Sequence, residues 1–335
     1  MMTDRRCLQR PGRARRSPWA ALCGILTALI VTLPLAAPHS PAPPHEYILT
    51  PIQVATDSYV VVGRTEDFSP ANGGNIVNTA FVVTGNGVVV IDTGPTRRYG
   101  EALRDAIRQV TDEPIREVWL THHHPDHILG NQAFSDVPIA ALPATAQGIQ
   151  AEGDAFAANV YRMVGDWAKG TEPVAATRTL TAGMHTVGRH RFRLLALHGH
   201  TEGDLAILDE STGVLFAGDL LFHDRAPTTP HADIASWLRA IDTLTQLAPT
   251  VVVPGHGAPV KDAQRLRPVE QTRQWLTWLQ RTLTEAADSG LDPAEIAARP
   301  VPAELATMAR AREELARSLA HVYRRMESRA VVHNP

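Results

Sequence analysis

One histidine-rich segment contains most of the residues that could carry chemistry. Residues 121–127 read Thr-His-His-His-Pro-Asp-His and follow an apolar run that is typical of a buried strand. Imidazole and carboxylate groups are ligands that zinc takes from proteins, and a loop at a strand end can direct several side chains at one centre. This density of ligand-type residues predicts a metal site rather than a solvated polar loop or an adventitious histidine tract.

Three further segments place ligand-type residues just beyond apolar, strand-like runs. They are residues 199–204 with His200, residues 217–219 with Asp219, and residues 254–257 with His256. A single histidine in such a position is more often a hydrogen-bonded structural residue than a ligand. Because all of these segments would meet at the same edge of a layered sheet structure, together they favour one shared site.

This order of residues resembles the metallo-β-lactamase superfamily. The superfamily pattern is His-x-His-x-Asp-His, followed by a later histidine, a bridging aspartate and a final histidine, and it is met in order between Asn75 and Gly257. An aspartate in a Val-Ile-Asp-Thr-Gly context is a further hallmark, present as Asp92, and we expect it to orient a ligand rather than to bind metal. The motif residues are His122, His124, Asp126, His127, His200, Asp219 and His256.

The resemblance implies both a fold and a division of the ligands. The implied fold class is α/β, a four-layer αβ/βα sandwich with the metals at one edge of its two sheets and a helical C-terminal extension. The residues implied for the first metal are His122, His124 and His200. The residues implied for the second metal are Asp126, His127 and His256. Asp219 would bridge the two, which suits the need of two nearby dications for an anionic ligand.

The expected activity is hydrolysis at a dinuclear zinc site. Two zinc ions per chain would lower the pKa of a bridging water toward about 7 and supply hydroxide to cleave an ester, thioester, lactone or amide-type bond of a small molecule. The expected catalytic residues are Asp126 and Asp219, which would orient the nucleophile and move its proton. Within the superfamily, the leader and several motif contexts most resemble the quinoprotein relay system zinc metallohydrolases, which implies a link to a quinoprotein (PQQ) dehydrogenase system.

Other branches of the superfamily supply the alternatives. A mononuclear iron sulfur dioxygenase has a similar motif set but would leave Asp126, His127 and His256 without a metal, so the number of metals per chain separates the two. A β-lactamase is a second alternative, although the branch that uses a cysteine ligand is disfavoured because both cysteines lie in the first 37 residues. A thioesterase of the glyoxalase II type or a lactonase would use the same site. His124 disfavours the di-iron oxygen reductases, which carry an acidic residue there.

Residues 1–37 have the features of a signal peptide. Six arginines precede an apolar run from Trp19 to Leu33, which is shorter than the roughly 20 residues of a spanning helix, and small residues follow it. We therefore expect cleavage rather than an uncleaved anchor, and a periplasmic or secreted protein without a stable membrane anchor. Removal of this segment reduces the 32 basic and 35 acidic residues to 26 and 34, a net charge of −8, which argues against a nucleic acid partner.

The rest of the chain divides into three predicted parts. Residues 38–51 are rich in proline and predict an extended linker. Residues 52–260 alternate strand-like and helical patterns and form the predicted hydrolase domain. Residues 261–335 form the predicted helical C-terminal extension, which we expect to pack on that domain.

Local patterns predict several elements within these parts. Residues 75–84 and 88–92 are predicted to be two strands of a hairpin, because Gly85-Asn86-Gly87 between them is a strong turn signal. Helical stretches are predicted from apolar spacing and from the lack of strand signals at residues 97–110, 233–247, 262–289 and 293–329.

A few polar residues near the motifs are given other roles. His123 lies between two expected ligands and should point to the opposite side of the loop, and His198 is expected to be structural. His223, Asp224 and the Asn-Gly-Gly segment at residues 72–74 could line the substrate pocket, although ordinary loop polarity explains them equally well.

Overall fold

The first sheet contains seven strands in the order in which they occur along the chain. The computed structural model describes residues 45–326. The strands are β1 (Ile52–Ala55), β2 (Ser58–Val61), β3 (Thr79–Val83), β4 (Val88–Ile91), β5 (Ile115–Trp119), β6 (Ile139–Ala141) and β7 (Arg178–Thr179). β1 to β4 pair antiparallel and β4 to β7 pair parallel. The sheet is therefore mixed.

The second sheet contains six strands, and one of its edges is formed by the last strand of the described residues. The strands are β8 (Gly183–Val187), β9 (His190–Leu197), β10 (Asp204–Asp209), β11 (Val214–Phe216), β12 (Val251–Val253) and β13 (Val260–Lys261). Their order is β13-β12-β11-β10-β9-β8, with β11 and β12 parallel and the other pairs antiparallel.

The predicted hairpin is confirmed, but its first strand is shorter than predicted. Val83 pairs with Val88 across the Gly-Asn-Gly turn. β3 begins at Thr79 because Asn78, the residue before it, is hydrogen-bonded to the loop after β12 of the second sheet instead of to a neighbouring strand. The backbone N–H of Asn78 donates to the carbonyl of Gly255 (2.8 Å), and its side-chain amide donates to the carbonyl of Pro254 (2.8 Å). Residues 75–78 are thus a loop that links the two sheets near the predicted ligands.

Helices cover the outer faces of both sheets. They are α1 (Arg97–Val110), α2 (Pro125–Ile128), α3 (Pro143–Val164), α4 (Ile234–Thr245), α5 (Arg267–Asp288), α6 (Pro293–Ala297), α7 (Ala303–Ala306) and α8 (Ala311–Ser318). α1 agrees with the predicted bounds, and α4 and α5 lie within theirs. α1 and α3 pack on the first sheet, whereas α4 and α5 pack on the second.

Three separate apolar clusters show the layering. Successive side chains of a strand point to opposite faces, so Phe81 packs toward α1 and α3 while Val82 packs toward the other sheet. The cluster between the sheets also contains Phe192, and the third cluster joins the second sheet to Trp237 and Trp275 of the outer helices. Three apolar interfaces separate four layers, which confirms the predicted αβ/βα sandwich with its helical C-terminal region.

The second predicted helical stretch of the C-terminal region is broken. Residues 293–329 were expected to be helical throughout, but the described part forms α6, α7 and α8 with a π-helical turn after α8. Pro300 and Pro302 lack the backbone N–H that helix continuation needs. Arg310 adopts a left-handed backbone (φ 64°) directly before α8, which ends any continuity with α7.

One prediction falls wholly outside the described residues, and another falls partly outside them. The signal peptide at residues 1–37 and the first half of the linker at residues 38–51 lie there, so both stay predictions. Within residues 45–326, no helix combines the length and the apolar character needed to cross a bilayer.

Candidate metal centre

The loop after β5 is held in shape by the carboxylate of Asp92. One oxygen accepts the backbone N–H of Thr121 (2.8 Å), and the other accepts the Thr121 hydroxyl (2.8 Å). That second oxygen also lies 2.7 Å from Nδ1 of His127. A carboxylate cannot donate, so His127 carries its proton on Nδ1 and presents Nε2 to the metal centre. Asp92 thus has the orienting position that the sequence predicts.

The first ligand cluster joins the loop after β5 to the second sheet. Its members are His122, His124, His200 and Asp219, and one ligand atom from each lies within 4.8 Å of all the others. Nε2 of His200 lies 2.9 Å from Nδ1 of His124 and 3.3 Å from Oδ2 of Asp219. All four side chains are buried. The fold brings together residues that are up to 97 positions apart in the sequence.

The second cluster lies next to the first and contains Asp126, His127 and His256. Nε2 of His256 is 3.2 Å from Oδ2 of Asp126, and Nε2 of His127 is 3.8 Å from the same oxygen. Asp126 and His127 come from the short helix α2, and His256 comes from the loop after β12. All seven predicted ligands are therefore collected in two adjoining groups.

Asp219 stands between the two groups. Its Oδ2 lies 3.3 Å from His200 and 3.4 Å from Nε2 of His256, and its Oδ1 lies 3.2 Å from Nε2 of His127. Gly255 leaves the room for this carboxylate, because a Cβ at that position would lie 1.9 Å from Oδ1. One carboxylate thus reaches nitrogen atoms of both clusters, which is the arrangement that a bridging ligand requires.

The donor atoms fit metal ions better than they fit each other. Among the described residues, Nε2 of His122, Nε2 of His127 and Oδ1 of Asp219 are buried and have no hydrogen-bond partner. Ligands placed about 2.0–2.1 Å from a shared tetrahedral zinc ion lie about 3.3 Å from one another. The separations of 3.2–3.4 Å around Asp219 match that spacing. Buried polar atoms without partners are costly, and metal ions would satisfy them.

The protonation states of the first cluster favour metal binding. Burial lowers the pKa of His122 and of His124 well below the usual histidine range, with neighbouring imidazoles acting in the same direction. Burial alone would raise the pKa of Asp219, but His256 and His127 outweigh it and hold this pKa well below its usual value. Neutral imidazole and ionised carboxylate are the forms that bind metal.

The second cluster differs because its histidines lie closer to carboxylates. Burial lowers the pKa of His127 and His256, but Asp219 and the other carboxylates nearby outweigh it, so the pKa of each is raised. The pKa of Asp126 is lowered despite its burial, chiefly by His127. A metal that binds here must displace protons, whereas His122 and His124 of the first cluster are already held in the neutral form.

The outer nitrogens of two ligands have specific partners. Nδ1 of His256 donates to the backbone carbonyl of Ile76 (2.7 Å), which leaves its Nε2 free to bind metal. Nε2 of His124 lies 2.8 Å from Nδ1 of His231, a residue that the sequence patterns do not single out. Such partners fix the tautomer and the ring orientation of a metal-binding histidine.

Comparison with known families agrees with the fold. The sequence profile described as the Metallo-beta-lactamase superfamily matches residues 72–256, which is more than half of the chain. The chain belongs to the metallo-beta-lactamase superfamily. The superfamily assignment made from the motifs is therefore confirmed, and the chain is a metal-dependent hydrolase. Its resemblance to the quinoprotein relay branch stays a prediction.

The chain is similar to several named proteins. The chain is 26% identical over 231 residues to the probable metallo-hydrolase YqjP of Bacillus subtilis, an alignment that covers 56% of this chain and 69% of YqjP. It is 22% identical over 251 residues to the linear primary-alkylsulfatase of a Pseudomonas species, covering 63% of this chain and 47% of the relative. The structure of the sec-alkylsulfatase Pisa1 from Pseudomonas sp. matches with a TM-score of 0.63 at 21% identity, covering 83% and 50% of the two chains. The chain thus spans about half the length of both alkylsulfatases.

A cavity of about 580 Å³ opens beside the metal centre of this superfamily member. Three predicted ligands, His124, Asp126 and His256, form part of its wall. Its apolar lining residues include Phe68, Ile76, Phe156 and Met163. Its polar and charged lining residues include Asp67, Glu152, Asn159, Arg225, Thr228, His231, Arg317 and His321. A substrate in this cavity would contact both an apolar and a polar surface.

The residues suggested for the substrate pocket are not the ones that line it. Residues 72–74 form a turn in which the Asn72 side chain accepts backbone N–H groups of Ser69 and Gly74, and the cavity wall uses flanking residues instead. Nδ1 of His223 donates a hydrogen bond to the carbonyl of Ala258. Outside the cavity, the carboxylate of Asp224 accepts a hydrogen bond from the side-chain amide of Gln271. Ordinary loop bonding explains these residues.

The two histidines that were set aside as non-ligands lie outside both clusters. The ring of His123 packs against α3, where a Cβ on Gly148 would lie 2.6 Å from its Cγ. Its Nε2 is 3.3 Å from Glu152, so the side chain points away from Asp219 and toward α3. His198 is exposed at the end of β9.

Proposed function

We propose that this chain is an exported hydrolase that binds two zinc ions at the adjoining clusters and cleaves an ester-type bond in a small molecule. The position of Asp219 between the clusters carries the proposal, because its two oxygens reach nitrogens of both. The first metal would be held by His122, His124 and His200. The second would be held by Asp126, His127 and His256, with Asp219 shared.

The chain's own groups prepare this site for hydrolysis. Two zinc ions bound here would supply hydroxide at neutral pH and polarise the oxygen of the scissile group. Asp126 and Asp219 are both ionised, since their pKa values are lowered, and both line the space between the clusters. They can accept a hydrogen bond from the attacking water and direct its lone pair at the substrate. Asp92 and Ile76 hold His127 and His256 in the required tautomers.

The cavity supports a substrate with an apolar part and a polar or anionic part. Phe68, Phe156 and Met163 offer apolar contacts, and Arg317, whose side chain is 37% exposed, offers a cationic group. Carboxylic esters, thioesters, lactones and amides remain the first candidates. Sulfate esters are a second candidate, favoured by Arg317 in the cavity wall and by the similarity to two alkylsulfatases. A link to a quinoprotein dehydrogenase system is proposed from the sequence resemblance alone.

A complete second cluster argues against the mononuclear alternative. A dioxygenase that uses one iron has no need for Asp126, His127 and His256 to converge, yet their ligand atoms lie within 4.8 Å of one another. The β-lactamase alternative uses the same kind of site, and only a substrate panel separates it from an esterase.

Metal analysis combined with a substrate panel tests the proposal. The chain without its leader, expressed with zinc, should contain about two zinc ions and should hydrolyse at least one of a panel of esters, thioesters, lactones, β-lactams and alkyl sulfates. A chelator should abolish turnover, and added zinc should restore it. One iron per chain together with oxygen consumption would contradict the proposal, as would full activity after complete metal removal.

A further inference from the structure

A pair of residues outside the motif contacts the far side of the first metal cluster. We propose that His231 and Glu152 form a relay that fixes the tautomer of His124 and strengthens it as a ligand of the first metal. The inference rests on the proposed metal centre. The two residues are positioning residues, because they act on the metal only through His124.

The protons in this chain of contacts can be placed by chemistry. Nδ1 of His124 faces the cluster, 2.9 Å from Nε2 of His200, so a metal held there leaves the His124 proton on Nε2. Nε2 of His124 lies 2.8 Å from Nδ1 of His231. That Nδ1 must therefore accept the hydrogen bond, so His231 carries its own proton on Nε2. Nε2 of His231 lies 3.2 Å from Oε2 of Glu152. Each nitrogen in the series thus has one defined role, and the series ends on a carboxylate.

Glu152 has a second histidine neighbour. Its Oε1 lies 3.3 Å from Nε2 of His123, a buried ring for which there is room only because residue 148 of α3 is glycine. His231 comes from the loop before α4 and Glu152 from α3. Both side chains are about one third exposed and lie in the wall shared by the active-site cavity and a neighbouring cavity of about 710 Å³. The relay therefore connects α3 to the metal centre.

The two clusters use a carboxylate in different ways. Asp92 contacts His127 directly at 2.7 Å, whereas Glu152 reaches His124 through one intervening imidazole. In both cases, negative charge beyond the outer N–H makes the metal-facing nitrogen a stronger electron-pair donor to a metal. Asp92 belongs to the superfamily motif. His231 and Glu152 do not, so this support of the first metal is a feature that the motif does not disclose.

A double-mutant cycle on metal affinity tests the relay. Glu152→Gln, His231→Ala and the double variant would be compared with the wild type by zinc competition against a chelator, fitted as two binding steps. Outer contacts of ligands typically account for 10–100-fold in affinity, so His231→Ala should weaken one step by at least about tenfold. Glu152→Gln should weaken it less, and should add little once His231 is absent. Glu202→Gln, an exposed carboxylate of the neighbouring cavity, should leave both steps within about twofold.

A conservative variant and a spectroscopic measurement separate positioning from general damage. His231→Asn keeps an acceptor for the His124 N–H but breaks the link to Glu152, so its affinity should equal that of Glu152→Gln. In zinc-loaded protein labelled with 15N-histidine, the Nε2 proton of His124 should exchange slowly in the wild type and be lost in His231→Ala.

Three outcomes would overturn the relay. Independent, additive effects of Glu152→Gln and His231→Ala would show that the two residues do not act in series. A third zinc ion that is lost in His231→Ala would show that these residues bind a metal themselves. A wild-type chain that binds no divalent metal would overturn the relay together with the proposed metal centre, whereas the first two results would leave that centre intact.

Discussion

Asp219 is the side chain on which the proposed dinuclear site depends most. Its two oxygens lie 3.2–3.4 Å from His127, His200 and His256, and no cysteine is present among the described residues to replace it as an anionic bridge. Asp219→Asn keeps the size of the side chain and removes its charge. Two adjacent dications would then repel each other, so at least one metal should be lost and hydrolysis should fall by more than about a hundredfold. Metal content and turnover are the measurements.

His123→Ala is the control for that variant, since its ring faces α3 and Glu152 rather than Asp219. We expect this variant to retain two metals per chain and most of its activity. Circular dichroism of both variants should show an intact fold. Asp219→Asn protein with two tightly held metals and near-normal turnover would refute the bridging role.

The two clusters should lose metal at different pH. Burial keeps the pKa of His122 and His124 low, so a metal at the first cluster displaces no proton from them at neutral pH. Against the effect of burial, Asp219 raises the pKa of His127 and of His256, so binding at the second cluster releases protons. Affinity at the second cluster should therefore rise with pH until the raised pKa values are passed.

Equilibrium dialysis against a weak chelator from pH 8 down to pH 6 measures this difference. The metal content should fall from about two to about one per chain before the remaining metal is lost. Simultaneous loss of both metals with the same pH dependence would contradict the prediction.

At the scale of elements, the contact between α1 and the segment after α2 depends on a glycine. Gly100 lies inside α1, where alanine is normally favoured by about 1 kcal/mol. A Cβ at this position would lie 2.5 Å from the carbonyl oxygen of Gly130 and 2.9 Å from Ala133. Gly100→Ala should therefore lower the free energy of unfolding by about 1–3 kcal/mol, because the helix must move away from a backbone atom.

Urea unfolding of the metal-free protein, followed by circular dichroism, measures this change without a contribution from bound metal. Gln109→Ala, an exposed substitution on the same helix, should stay within about 0.5 kcal/mol of the wild type. A more stable Gly100→Ala protein would mean that helix propensity outweighs the close contact.

Elements with a strong local pattern were predictable from the sequence. The bounds of α1 agree with the prediction, because the amphipathic spacing of its residues defines it. α3 is not indicated by the sequence pattern, although it is 22 residues long. It contains Gly148 and Gly153, which lower helix propensity but allow His123 and Pro173 to approach the helix closely. Tertiary packing, which a local pattern does not reveal, selects these glycines.

The predicted ligands could be found from the sequence, whereas their supporting residues could not. Adjacent residues in one loop, such as His122 and His124, signal a shared function through their spacing. His231 and Glu152 stand 79 positions apart, and neither lies in a recognisable motif. Only the packing of α3 beside the loop before α4 brings them together, so the structure was needed to find the contact with His124.

At the scale of the whole molecule, one buried arginine ties the C-terminal region to both sheets. Arg225 follows β11 and lies 3.2 Å from Glu314 of α8 and 3.2 Å from Asp67, which precedes β3. The side chains of Arg225 and Glu314 are 2% and 0% exposed. Glu314→Gln would leave a buried cation poorly compensated, and should lower the free energy of unfolding by about 3 kcal/mol.

Glu313→Gln is a matched control, because it makes the same change one residue earlier on the same helix. Glu313 is 49% exposed and contacts Arg310 at 3.2 Å, so its loss should cost no more than about 1 kcal/mol. Chemical denaturation of the two metal-free variants side by side measures the difference. Equal effects would show that the burial of the Arg225 pair does not matter for stability.

The order of the ligands along the chain determines when the protein can acquire metal. The first lie directly after β5, but His256 follows β12, which must pair with β11 before the second cluster exists. A nascent or partly folded chain can offer isolated histidines but no complete cluster, so metal capture comes late in maturation. First-row metals differ in intrinsic affinity for such ligands. For a chain that is exported as proposed, the bound ion should therefore reflect the metal supply of the compartment in which folding finishes, rather than that of the compartment of synthesis.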